Sequence, residues 1–153
     1  MKVVFVCTGN TCRSPLAEYV LRGKLKKRGV EDVEVQSAGT AAASGVPMTE
    51  NSRIILEEQG YGSPSRHRSR NIMDLELEAG DLLLTMTENH LRSLPPFLAE
   101  EGVDCSLLRE YVGESGEFSD PFGGSLDRYR RLYEDLEPVL EKLAEKLSAG
   151  QNV

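Results

Sequence analysis

The stretch CTGNTCRSP, Cys7 to Pro15, places a thiol, a run of small residues and a guanidinium in quick succession. That order suits anion chemistry. Backbone N–H groups of such a loop can point inward together, and a helix beginning behind it adds the positive end of its dipole. Arg13 can hold two phosphate oxygens with its planar fork. The same field favours the thiolate of Cys7, and a thiolate facing a bound phosphate is a nucleophile for phosphoryl transfer. Thr8, Gly9, Asn10, Thr11 and Cys12 supply the loop. Gly9 and Asn10 tolerate the left-handed backbone that it needs. The G-x-x-x-x-G-K pattern of a Walker loop is absent.

Such a loop needs a strand to deliver Cys7 and a helix to start near Ser14. The β-branched run Lys2 to Cys7 reads as a buried strand. Ser14 to Arg28 reads as a helix, with Pro15 in its first turn, Leu16, Ala17, Val20, Leu21 and Leu25 on one face, and Gly29 ending it. Further along, the pattern predicts a strand over Val33 to Ser37, a helix over Thr49 to Gln59 and a strand over Asp81 to Met86. A short helix over Thr87 to Leu94 and a strand over Ser106 to Arg109 follow. After a long loop from Tyr111 to Ser125, Leu126 to Leu147 forms an amphipathic helix. Tyr129, Leu132, Leu136, Val139, Leu140 and Leu143 take its buried side, and Pro138 is placed to kink it. Strands alternate with helices and lack period-two alternation, so the expected fold is α/β, a parallel sheet covered on both faces. Ligands in such folds bind beyond the carboxyl ends of the strands, where Cys7 falls.

The 153 residues suit one domain spanning the chain, 1–153. No apolar run approaches the length of a membrane helix, and the opening MKVVFVCTGN lacks the long apolar region and cleavage site of a secretory signal. A cytoplasmic protein with no membrane partner is expected. Three cysteines do not form a disulfide framework, so reduced thiols are the expectation. The net charge of −7 argues against a nucleic-acid partner, and the basic run Arg66 to Arg70 reads mostly as a solvated loop. Cys7, Cys12, His67 and His90 show no metal-ligand spacing, so neither a metal nor another cofactor is expected. Cys105 is assigned to the core.

Taken in order, CTGNTCRSP, Ser37-Ala38-Gly39-Thr40, His67-Arg68-Ser69-Arg70, Met86-Thr87 and Asp120-Pro121-Phe122-Gly123-Gly124 resemble the low-molecular-weight protein tyrosine phosphatases over almost the whole chain. The resemblance implies a four-stranded parallel sheet with helices on both faces, and phosphorylated protein substrates. It also implies roles. Cys7 resembles the nucleophile that becomes a phosphocysteine, Arg13 the phosphate ligand, and Ser14 the hydroxyl that stabilises the leaving thiolate. Asp120 resembles the general acid, and Asn10, Ser37 and His67 the set that holds the loop in shape. A leaving oxygen or nitrogen does need a proton as its bond to phosphorus breaks, which fits Asp120. Taken alone, Asp-Pro-Phe-Gly-Gly would read as a turn and His67 as a surface histidine.

Tyrosine-directed members carry a bulky aliphatic residue where this chain has Thr11, together with aromatic walls for a phenyl ring. Here Phe122 is followed by Gly123, and Ala41 to Gly45 contains no aromatic. A guanidinium instead needs polar contacts and a carboxylate, which Thr11 and Asp120 could supply. CTGNTCRSP with the later DPFGGS is similar to the protein arginine phosphatase branch. The alternatives are a tyrosine phosphatase of the same fold, a thiol-coupled arsenate reductase and a non-catalytic phosphate-binding module. The reductase would need a further pair of closely spaced cysteines, and only Cys105 remains. A redox-sensitive Cys7, with Cys12 as its disulfide partner, is a further expectation.

Overall fold

The computed structural model describes residues 1–150. Its elements run β1 (Lys2–Cys7), α1 (Arg13–Lys27), β2 (Glu34–Gly39), α2 (Glu50–Glu58), a 3-10 turn (Ile72–Asp74) and β3 (Leu82–Thr85). They continue with α3 (Glu88–Arg92), α4 (Phe97–Glu100), β4 (Asp104–Leu107), α5 (Leu108–Tyr111) and α6 (Leu126–Ala149). The four strands form one parallel sheet in the order β2-β1-β3-β4. The chain passes from β1 to one side and returns to the other at β3. The end of β1 is therefore the topological switch point, where open α/β sheets bind ligands.

Both faces of the sheet are covered. Val3, Phe5 and Cys7 of β1 pack into the larger core cluster with Leu16, Leu21, Ile55 and Leu56 and the buried side of α6. Val4 and Val6 point the other way, into a smaller cluster with Leu83, Leu98 and Val103. Two apolar faces explain why β1 shows no polar alternation. The predicted buried faces of α1 and α6 are all buried, and α6 runs on through Pro138 as one helix.

Several boundaries differ from the sequence reading. β2 reaches Gly39 because Val6 pairs with Ala38 and Cys7 with Gly39. A Cβ at Gly39 would collide with the Thr8 carbonyl, so glycine lets β2 close against the loop. The last strand is Asp104–Leu107, not Ser106 to Arg109, because Leu82 pairs with Asp104 and Thr85 with Leu107. As an edge strand it carries exposed Asp104 and half-buried Ser106, which hid it in the sequence. Leu108 instead opens α5 and is buried in the larger core. The short helices α4 and α5 and the 3-10 turn went unpredicted. Cys105 is not a fully buried core residue: it is half-buried on the edge strand, against the smaller cluster. No helix among the described residues is long and apolar enough to cross a membrane.

Candidate active site

β1 ends at Cys7, the chain loops through Thr8 to Cys12, and α1 begins at Arg13. Asn10 is the one non-glycine residue with positive φ (57°) among the described residues, the left-handed position that the loop requires. Its side chain is fully buried, with both amide protons and the oxygen engaged. Nδ2 donates to Ser14 Oγ at 2.9 Å and to Ser37 Oγ at 2.8 Å, while Oδ1 accepts from the Arg70 N–H at 3.0 Å. The Asn10 carbonyl accepts from His67 Nε2 at 3.0 Å. The Arg66 to Arg70 run thus alternates: the three arginines face water, while His67 and Ser69 are buried.

The Cys7 sulfur is buried and lies 2.9 Å from Ser14 Oγ. Arg13 is also buried. Its Nη1 donates to the Phe118 carbonyl at 3.0 Å, and its Nη2 lies 3.7 Å from Asp120 Oδ2. Its Nε is buried and finds no acceptor among the described residues. An orphaned guanidinium donor beside a loop of this kind fits an anionic ligand, because buried donors are otherwise almost always paired.

Asp120 is half exposed, and its Oδ1 accepts the Phe122 N–H at 3.0 Å, closing a turn that Gly123 completes at φ 77°. Cys7, Thr8, Gly9, Thr11, Cys12, Arg13, Asp120 and Phe122 line one cleft of about 230 Å³. Larger hollows elsewhere on the surface, such as the one around Lys26, Lys27 and Tyr61, hold no such set of groups. Thr11 is half-buried, and the nearest partner of its hydroxyl is Cys12 Sγ at 3.9 Å, which leaves the hydroxyl free for a ligand. Phe122 is the one aromatic in the lining and is 71% exposed; none of Ala41 to Gly45 takes part. Cys12 Sγ packs 3.3 Å from the Tyr129 hydroxyl. Burial, reinforced by that contact, pushes Tyr129 up to about 12.

Three contributors escaped the sequence reading. Glu18 is buried one turn beyond Ser14, accepts the Ser37 hydroxyl proton and pairs with Arg22 at 2.6 Å. Its signal was the i, i+4 spacing of Ser14, Glu18 and Arg22, a polar stripe beside the apolar face of α1. Phe118 pins the approach to Asp120, since its N–H donates to the Met86 carbonyl at 3.1 Å and its ring lies under Arg109. His90 is buried against the loop, with Nε2 2.8 Å from Thr8 Oγ1. Burial and, secondarily, the Arg13 charge lower its pKa to about 4, opposed by Asp120 and Glu117.

The sequence matches the family model for low molecular weight phosphotyrosine protein phosphatases over residues 2–152. The chain belongs to this family. It is 35% identical to a protein-arginine-phosphatase of Geobacillus stearothermophilus, covering 98% of each chain. It is 39% identical to the low molecular weight protein-tyrosine-phosphatase PtpB of Staphylococcus haemolyticus, covering 94% of this chain and 97% of that one. Among solved structures it superposes on a YwlE arginine phosphatase variant with a phosphorylated active-site serine, with TM-score 0.80, 32% identity, and 96% of this chain and 95% of that one covered.

Proposed function

We propose that this chain is a protein arginine phosphatase that works through a phosphocysteine on Cys7. The observation that carries the chemistry is the buried Cys7 sulfur, hydrogen-bonded to Ser14 on the floor of a cleft that Arg13 also lines. In the first step the Cys7 thiolate attacks phosphorus and the P–N bond breaks. Asp120 gives its proton to the departing guanidine nitrogen. In the second step water attacks the phosphocysteine and Asp120, now a carboxylate, takes the proton. Inorganic phosphate forms, and the sulfur leaves as a thiolate that Ser14 stabilises. Arg13 binds the phosphoryl oxygens throughout, and Asn10, Ser37 and His67 hold the loop in the shape that aims its N–H groups.

The substrate reading rests on the rim. The Thr11 hydroxyl is free, Asp120 is half exposed, and Phe122 is a single, largely exposed aromatic. That rim offers acceptors to a guanidinium and little wall to a phenyl ring. The name of the Geobacillus relative points the same way. The PtpB relative's name points to phosphotyrosine, so both belong in the test. Phosphorylated proteins are the partners, and chemistry that depends on a free thiolate suits a reducing compartment such as the cytoplasm.

The deciding experiment gives the enzyme a phosphoarginine protein and a phosphotyrosine peptide side by side, with Cys7→Ser as control. Faster turnover of phosphoarginine, lost in the control, is expected. Preference for phosphotyrosine would overturn the substrate assignment, and undiminished turnover by Cys7→Ser would overturn the mechanism.

A further inference from the structure

His90 takes no part in the steps above, yet its imidazole joins α3 to the phosphate loop. It is 5% exposed and bonded on both sides. Nδ1 lies 3.0 Å from Thr87 Oγ1, and Nε2 lies 2.8 Å from Thr8 Oγ1. The cap contact of Thr87 favours one direction for these bonds. As the N-cap of α3, its oxygen accepts the His90 backbone N–H at 3.2 Å. Its own hydroxyl proton is then available to Nδ1, and Nδ1 has a lone pair to receive it. In the tautomer this favours, the ring proton is on Nε2 and is donated to Thr8 Oγ1. The Thr8 oxygen accepts this bond and keeps its proton for something else. Thr8 is exposed and lines the cleft beside Cys7 and Arg13, and its hydroxyl has no other partner among the described residues. Burial and, secondarily, the Arg13 charge lower the pKa of the ring to about 4, against Asp120 and Glu117, so it is neutral near pH 7.

We propose that the Thr8 hydroxyl is a phosphate ligand in its own right and that His90 is the positioning residue that turns its proton into the cleft. This rests on the reading that the cleft binds a phosphoryl group. The loop would then offer an anion a side-chain hydroxyl besides its backbone N–H groups and Arg13, and the orientation would be set by Thr87 through the imidazole.

Calorimetric titration of the whole protein with inorganic phosphate tests this without requiring turnover. Thr8→Val keeps the shape and removes the hydroxyl, and should weaken phosphate binding about tenfold, as loss of a hydrogen bond to a charged group does. His90→Phe keeps the ring but lets the Thr8 proton wander, and should cost several-fold. His90→Gln, whose amide N–H can reach Thr8, should restore most of that loss. The Thr8→Val/His90→Phe double variant should bind no more weakly than Thr8→Val, because His90 acts only through Thr8. Unchanged affinity in Thr8→Val would overturn the proposal, and so would costs that simply add, which would make His90 a packing residue. If His90→Phe does not fold, Thr8→Val at its exposed position still decides. A parent protein that binds no phosphate would sink the site reading and this proposal together, whereas a binding parent with an indifferent Thr8→Val sinks this proposal alone.

Discussion

The Ser14 hydroxyl stands 2.9 Å from the Cys7 sulfur with its proton free to be given. Asn10 Nδ2 already donates to Ser14 Oγ at 2.9 Å, which takes one of the two acceptor sites of that oxygen. The competing acceptor for the Ser14 proton, the Ala38 carbonyl, is farther away at 3.5 Å. A Cys7 thiolate can only accept, so in that state the Ser14 proton goes to sulfur, and the Asn10 bond helps to turn it there.

Ser14→Ala should slow release of the thiolate from phosphocysteine more than its formation. A hydrogen bond to a charged group contributes roughly 1.5–3 kcal/mol, so breakdown should fall by about ten- to a hundredfold. Pre-steady-state kinetics with a good aryl phosphate should show a sharper burst followed by a slower steady state. A burst and steady state reduced in equal proportion would mean that Ser14 shapes the loop rather than serving the leaving sulfur.

Asp120→Asn is informative because asparagine keeps the Oδ1 that accepts the Phe122 N–H, so the turn survives while the acid is lost. Turnover of substrates with poor leaving groups should fall about a hundredfold or more, and that of good ones far less. Rates across phenols of graded acidity measure this directly. An unaltered dependence on leaving group would leave Asp120 as part of the turn and nothing more.

Mild peroxide should inactivate the enzyme in a way that thiols reverse. Cys7 and Cys12 line the same cleft, so a sulfenic acid on Cys7 can condense with the Cys12 thiol to a disulfide, releasing water. To do so, Cys12 must leave its contact with the Tyr129 hydroxyl. Mass spectrometry should find the Cys7–Cys12 bridge, and a Cys12→Ala variant should recover less activity after reduction. Equal recovery would show that Cys12 stays with Tyr129.

His90 gives stability a defined pH dependence. Its pKa falls from an ordinary 6.5 when unfolded to about 4 when folded, through burial first and the Arg13 charge second, against Asp120 and Glu117. Between these values the unfolded chain binds a proton that the folded chain refuses. The contribution is therefore fully present above about pH 6.5, shrinks as pH falls and levels off below about 4. It amounts to no more than about 3 kcal/mol. Urea denaturation of the parent and His90→Gln should show their stability difference moving against the parent over that window. A difference that stays constant with pH would mean that His90 is protonated as readily when folded as when unfolded.

Most of what positions the site could be read from the sequence because it is local. A β-branched run, a loop with Asn at the left-handed position and a helix start fix Cys7, Arg13 and Ser14 within a few residues. The parts that escaped depend on distant segments. Nothing near Glu18 announces the Ser37 hydroxyl that meets its buried carboxylate, and nothing near His90 announces Thr8. β4 was displaced in the reading because an edge strand needs only one apolar face, and Asp104 and Ser106 look like loop residues. The sequence pattern places Met86-Thr87 at a strand-to-helix junction. What the structure adds is that the Thr87 hydroxyl, besides capping α3, meets the ring of His90.

Thr11 carries the substrate question furthest. It lines the cleft with Asp120, and its hydroxyl has no nearer partner than Cys12 Sγ at 3.9 Å. Thr11→Ile should weaken turnover of phosphoarginine and improve that of phosphotyrosine. The lost hydroxyl removes one polar contact to the guanidinium, roughly 1.5–3 kcal/mol, and each methylene buried against a phenyl ring adds about 0.8 kcal/mol for the aromatic substrate. Together these shift the ratio of kcat/KM values by roughly one to three powers of ten. Cys7, Arg13 and Asp120 are untouched, and the Thr11 carbonyl still accepts the Thr49 N–H, so the loop keeps its anchor and hydrolysis of a small aryl phosphate should continue. If activity on both substrates falls together, the larger side chain has distorted the loop. If the ratio stays where it was, selection lies instead with Phe122, whose exposed ring is the other adjustable wall of the cleft.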